Sequence, residues 1–251
     1  MTDSVSQSRQ VRISDRIKTW LPQVVLAIAV LFVLYNQWDG VKMFYHHARS
    51  VVNFPYPIDY GEGPLLDQVA RLAMFENLYQ PDISQPPYTI TNYPPLYPLV
   101  QVPFYWIFGP ELWYGRVISL LGVLAAAVFI GLTVYTLTNS IAGGILSAVL
   151  LPFFPFVLHW APLTRVDSLA LGLSWAGIFI LVRWGDQRKG LIWAAIFLVA
   201  AVYTRQSYGL AAPLAGFIYL LRQSPRKRAF QLAFYTGAIG LAIFIFMNIL
   251  S

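Results

Sequence analysis

Apolar residues along this chain gather into long blocks, several of about 20, the length a helix needs to cross roughly 30 Å of hydrocarbon at about 1.5 Å per residue. The blocks cover 20–45, 116–137, 141–160, 168–184, 191–203, 208–221 and 229–250. They predict an all-α polytopic membrane protein with about seven crossings, most of them joined by short turns. The whole of 1–251 reads as one unit: a polar head at 1–19, a long loop at 46–115, and a six-helix remainder at 116–251.

The long loop has its own pattern. Pro55 and Pro57 bias the residues before them away from helix, and Gly61 and Gly63 loosen the backbone around Glu62. Pro64 suits a first helical position, and Leu65, Leu66, Val69, Leu72 and Ala73 follow amphipathic spacing, with Asp67, Arg71 and Asn77 toward the polar side. This predicts a helix along the membrane interface. Residues 80–92 read as a proline-broken loop. The apolar block at 96–108 is short and carries Pro98 and Pro103, which suits an in-plane or re-entrant helix.

Charge supports that choice. The head carries Arg9, Arg12, Arg16 and Lys18 beside the first block, which puts the N-terminus in the cytoplasm. If 96–108 crossed, Arg183, Arg188 and Lys189 would fall outside, as would Arg222, Arg226, Lys227 and Arg228, violating the positive-inside rule twice. With the segment held on the outer side, the loop 46–115 is extracytoplasmic and every basic cluster is cytoplasmic.

Composition narrows the class. With 57% hydrophobic and 11% charged residues and a mean hydropathy of +0.58, a soluble domain is excluded. The net charge of +6 lies in short clusters beside apolar blocks, so it reads as topology and not as a nucleic-acid surface. The first block is too long for a signal-peptide core and is expected to remain as an anchor. The end of the sequence at Ser251, directly after a span, leads us to expect either a compact core or part of a larger protein.

Metal and redox chemistry find little support. The absence of cysteine excludes disulfides and thiolate ligands. His46 and His47 have no further ligands at suitable spacing and suit an interface, so no metal site is expected. No cofactor is required by any motif, although a carboxylate pair can recruit a divalent cation loosely.

On this topology Asp59, Glu62, Arg165, Asp167 and Arg205 converge on the outer face. A guanidinium pairs with phosphate through a planar fork, and a carboxylate can take a proton from an attacking hydroxyl. Blander readings stand beside these. Asp59 and Glu62 also suit solvated loop acids, Asp167 a helix cap, Arg165 a snorkelling side chain, and the aromatics an interfacial belt. Arg205, at a short hairpin tip expected to lie below the outer surface, needs a partner or ligand.

The motifs Asp59-Tyr-Gly-Glu62, Tyr93-Pro-Pro-Leu96, Arg116-Val-Ile-Ser119, Thr164-Arg-Val-Asp167-Ser-Leu and Thr204-Arg-Gln-Ser207, in that order, resemble the GT-C class of membrane glycosyltransferases. That class includes the protein O-mannosyltransferases and the aminoarabinose and arabinosyl transferases. The resemblance implies transfer of a sugar from a polyprenyl-phosphate carrier to a lipid, glycan or protein acceptor at the extracytoplasmic face. It implies a catalytic role for Asp59, Glu62 and Asp167, with the base left open between Asp59 and Glu62. Arg165 and Arg205 would hold the carrier phosphate. Tyr60 and the segment from Tyr93 to Phe108 would wall the acceptor cleft, and Trp106, Trp113 and Phe156 would line the lipid groove. Two competing readings are a non-catalytic subunit that serves as scaffold or lipid-binding partner in a larger membrane complex, and a transporter. The transporter is disfavoured because the acids gather outside and not at mid-membrane.

Overall fold

The computed structural model describes residues 20–36, 38–79, 82–84, 86, 88 and 90–250, with the side chains of 208, 209 and 248–250 excepted. The expected cytoplasmic head at 1–19 and part of the 80–92 loop lie outside the described residues. Among those described there is helix and no strand.

The first block is a bent pair, not one straight helix. Helix α1 (Trp20–Asn36) and α2 (Trp38–Asn53) meet at 55°. Polar Asn36, Asp39 and Lys42 fall midway along the block, where Asn36 donates back to the Phe32 carbonyl and Lys42 pairs with Asp39 at 3.2 Å.

Helix α3 (Glu62–Ala73) begins two residues before the expected Pro64. The Glu62 amide bonds to the Asp59 carbonyl at 3.1 Å and so nucleates the first turn ahead of the proline. Leu65, Val69 and Ala73 face inward as expected. Arg71 does not lie on the polar side: it is buried, donates to the Asn77 carbonyl, and reaches Glu76 at 3.5 Å. It clamps the reversal after the helix, where Phe75 takes a positive φ of 60°.

The 96–108 segment is two short helices, α4 (Leu96–Leu99) and α5 (Val102–Phe108). They stack on α3 through one cluster of Leu65, Tyr97 and Val166 and another of Val69, Ala73 and Val102. Gly109, at φ 77°, ends the segment with a backbone that side chains rarely adopt.

Helix α6 (Trp113–Thr138) stops at Asn139, a left-handed cap. The expected continuous span at 141–160 is broken. Helix α7 (Ile141–Leu150) gives way to a 3₁₀ turn (Leu151–Phe153) and then to α8 (Pro155–Trp160). Pro152 and Pro155 each remove an amide that a continuous helix needs.

Helices α9 (Val166–Trp184), α10 (Arg188–Thr204), α11 (Gln206–Gln223) and α12 (Arg226–Leu250) complete the bundle. Leu181, Leu191, Leu198, Leu220 and Leu232 form its largest core. Helices α6 and α9 cross closely at Gly122 and Gly172, where a β-carbon on Gly122 would stand 2.5 Å from the Ser168 carbonyl oxygen.

Among the described residues three helices are long and apolar enough to span a membrane: Trp113–Thr138, Val166–Trp184 and Arg226–Met247. The α1–α2 pair adds a fourth if it counts as one span. The all-α membrane architecture is as expected, while the 141–160 crossing is broken, and α10 and α11, the helices of 17 and 18 residues that cover 191–203 and 208–221, do not combine the length and apolarity of a span. Since α9 and α10 are consecutive and antiparallel, the start of α6, the start of α9 and the α10–α11 junction share one end of the bundle. The candidate chemistry is there.

Candidate active site

The foundation of the site is a buried ion pair. Arg116, in the first turn of α6, and Glu62, which opens α3, are both fully buried. Arg116 Nε and Nη2 donate to the two Glu62 oxygens at 2.9 and 2.8 Å. Its remaining donors go to the carbonyls of Val51, Phe54 and Tyr56. All five guanidinium hydrogens are thus used. Glu62 also accepts from the amides of Ile58 at 2.8 Å and Thr164 at 2.9 Å. Burial alone would push this carboxyl up, but the Arg116 bonds and the two amides outweigh it and hold the group below its ordinary value. The pair therefore fixes the loop that carries Asp59 and the loop that carries Arg165 against the same helix end.

On that foundation lies a chain of charges. Arg165 Nη1 donates to Asp59 Oδ2 at 2.6 Å, and Arg165 Nε lies 3.9 Å from Asp167 Oδ2. Arg205 Nη1 then pairs with the other oxygen of Asp167. Arg165 is shared between two acids, and Asp167 between two arginines. The side chains are between 9% exposed for Asp59 and 26% for Arg205, so the chain is sheltered yet reachable.

Aromatic and hydroxyl groups hold these charges in place. The Trp160 ring lies 4.5 Å from the Arg165 guanidinium, and the exposed Tyr60 covers it at 6.0 Å. Tyr93 lies 5.6 Å from Arg205, whose Nε also donates to Ser207. Ser119 Oγ is 3.1 Å from both the amide nitrogen and the carbonyl oxygen of Arg165, and 2.8 Å from the Tyr97 hydroxyl. Burial pushes the Tyr97 phenol up, so it stays neutral and bonds to the Gly115 carbonyl.

Asp59, Arg165, Asp167 and Arg205 are thus brought together, with Tyr60 and Tyr93 over the two arginines. Glu62 lies beneath them, facing Arg116. Asp167 is in the first turn of α9, and its charge partners are the two arginines. Trp106 and Trp113 pack elsewhere: Trp106 donates to the Ala73 carbonyl and faces Phe75, while Trp113 meets Phe104 and Phe108. Phe156 meets Trp160 at a tilt, ring centres 6.0 Å apart.

A separate apolar groove of about 410 Å³ runs between α5, α6 and α9. Phe104, Ile118, Leu121, Phe129, Leu169 and Leu173 line it. Ile118 and Leu169 also pack against the Tyr97 and Val166 cluster, so the groove begins within a turn of Ser119 and Asp167.

Sequence reasoning missed Tyr97 and Trp160, and it quoted Arg116 and Ser119 only as pattern. An arginine within an apolar block, three residues before a serine, was the available signal for a buried partner. Among the described residues no group of three or more His, Cys, Asp or Glu could hold a metal ion.

A family model described as dolichyl-phosphate-mannose-protein mannosyltransferase matches residues 92–251. The match bears out the resemblance to the GT-C class. Comparison with curated proteins and with solved structures gives no match.

Proposed function

This chain belongs to the dolichyl-phosphate-mannose-protein mannosyltransferase family, and we propose that it moves a sugar from a polyprenyl-phosphate carrier to an acceptor hydroxyl or amine at the extracytoplasmic membrane face. The single observation that carries this reading is the chain from Asp59 through Arg165 and Asp167 to Arg205. It joins a candidate base to two phosphate-binding guanidiniums in one sheltered site.

In this mechanism the carrier phosphate enters between Arg165 and Arg205, whose planar forks suit phosphate oxygens. The phosphate competes with Asp59 for Arg165. Displaced from Arg165, the Asp59 oxygen is open to the acceptor's proton. Asp59 then takes the proton of the acceptor, whose oxygen or nitrogen forms a bond to the sugar's anomeric carbon. The bond from that carbon to the phosphate oxygen breaks, and its electron pair leaves with the carrier phosphate, stabilised by both arginines. Asp167 keeps the two guanidiniums apart and oriented. Glu62, saturated by four hydrogen bonds, positions the loops and does not touch substrate. The apolar groove below suits the first isoprene units of the carrier, in place of a groove at Trp106 and Trp113.

The test is a transfer assay on membranes with a polyprenyl-phosphate sugar. Asp59→Asn is expected to abolish transfer while the protein stays folded. Full activity in that variant removes the mechanism. A second reading, a non-catalytic subunit, draws on the fact that the acids of the site already have arginine partners and so serve as a static brace. Inactivity of the parent chain together with stable co-purification in a larger complex decides for it.

A further inference from the structure

The other end of the bundle carries a second cavity. Helix α9 is 19 residues long, so its last residue stands about 27 Å along the axis from its first at about 1.5 Å per residue. There the turn into α10 frames an open hollow of about 240 Å³ lined by Ile180, Trp184, Gln187, Lys189, Gly190 and Trp193. The turn is tight: a β-carbon on Gly190 would stand 2.1 Å from the Trp184 carbonyl oxygen. That closeness folds Lys189 and Trp193 back toward Trp184. The two indoles are 39% and 57% exposed, a wide aromatic surface at the end of a membrane-length helix.

Charge at this end is one-sided. Arg183, Arg188, Lys189, Arg222, Arg226, Lys227 and Arg228 come from the α9–α10 and α11–α12 turns. Among the described residues none of them makes an ion pair. Arg183 lies over the Trp184 ring at 5.6 Å. The single acid of these turns, Asp186, accepts from Ser224 Oγ at 3.0 Å. Basic pockets between membrane helices bind anionic headgroups, and each basic group near such a surface adds to the attraction. Indoles settle where acyl chains meet headgroups.

We propose that this cavity binds an anionic glycerophospholipid, with its phosphate against Lys189 and Arg183 and its first acyl carbons between Ile180, Trp184 and Trp193. The site is separate from the charge chain and does not depend on the glycosyl-transfer reading. It anchors the α9–α10 hairpin, whose far end carries Asp167 and Arg205.

Tryptophan quenching tests this on the purified chain in detergent micelles, using phosphatidylglycerol and phosphatidylcholine with brominated acyl chains. The anionic lipid is expected to quench at several-fold lower concentration than the zwitterionic one, and Trp193→Phe to reduce the quenched amplitude. Lys189→Gln is expected to weaken the anionic lipid about fivefold, the effect of one interfacial lysine, and to leave the zwitterionic one unchanged. Lys189→Arg retains the preference, which controls for misfolding. The triple variant Arg226→Gln, Lys227→Gln and Arg228→Gln also retains it. The proposal is overturned if Lys189→Gln behaves as the parent, if the triple variant alone removes the preference, or if inorganic phosphate at matched ionic strength displaces the lipid.

Discussion

Replacing Glu62 with glutamine separates the support of the site from its chemistry. The substitution keeps the shape and removes one charge from a pair in which both members are fully buried. Two charge-assisted bonds from Arg116, at 2.9 and 2.8 Å, are weakened or lost. One amide, of Ile58 or Thr164, meets an NH₂ donor instead of an acceptor. Arg116 keeps its three carbonyl partners but becomes an uncompensated buried cation. Removing one partner of such a pair costs about 3–5 kcal/mol. The Asp59→Asn change leaves a neutral acceptor facing Arg165, which keeps Asp167 as a second acid, so it is expected to cost less. Thermal unfolding in detergent, followed by intrinsic fluorescence and checked by gel filtration, reads the difference. Glu62→Gln should lower the midpoint by many degrees and Asp59→Asn by few, although both lose transfer. A Glu62→Gln protein that melts with the parent yet transfers nothing refutes the positioning role and returns Glu62 to candidate base.

The same carboxyl gives a pH dependence. Its folded-state pKa lies below the ordinary value of 4.5, so its contribution is present above that value and is lost as pH falls through the depressed one. Acid melts of the parent should steepen there, and those of Glu62→Gln should not. At the α6–α9 crossing, Gly122→Ala puts a methyl 2.5 Å from the Ser168 carbonyl oxygen and is expected to destabilise by about 1–3 kcal/mol. A matched melt checks this, and an unchanged midpoint counts against the close crossing. On the proposed mechanism Arg205→Gln removes one charge-assisted donor from the carrier phosphate, a loss of about 1.5–3 kcal/mol. In a transfer assay KM for the lipid-linked sugar should rise about 10-fold or more; an unchanged KM removes Arg205 from the phosphate site.

The fold class was legible because block length answers to bilayer thickness, and helix pairs such as α9 and α10 needed only their polar turn to be placed. The breaks were harder. Pro152 and Pro155 sit in a run apolar enough to mask them, and the bend near Asn36 depends on polar groups finding local partners. In the site, Asp59, Arg165 and Asp167 were legible as charges gathered on the outer face, and Arg205 as one that hydrocarbon does not tolerate alone. What the sequence hid was pairing. Asp59 and Glu62 are three residues apart and chemically alike, yet one turns up toward Arg165 and the other inward to Arg116. That difference is set by α6, more than 50 positions away.

This long-range pairing also bears on which part of the chain makes the site. The family match covers 92–251, and Asp59 and Glu62 lie before it. Arg116 and Arg165, inside the matched region, are nonetheless paired with Glu62 and Asp59. The buried Arg116 directs all five donors at residues 51–62. Removing the loop would leave that charge buried and bare, at a cost of several kcal/mol. The loop is therefore part of the folding unit that presents Arg165, and the site requires both sides of the match boundary.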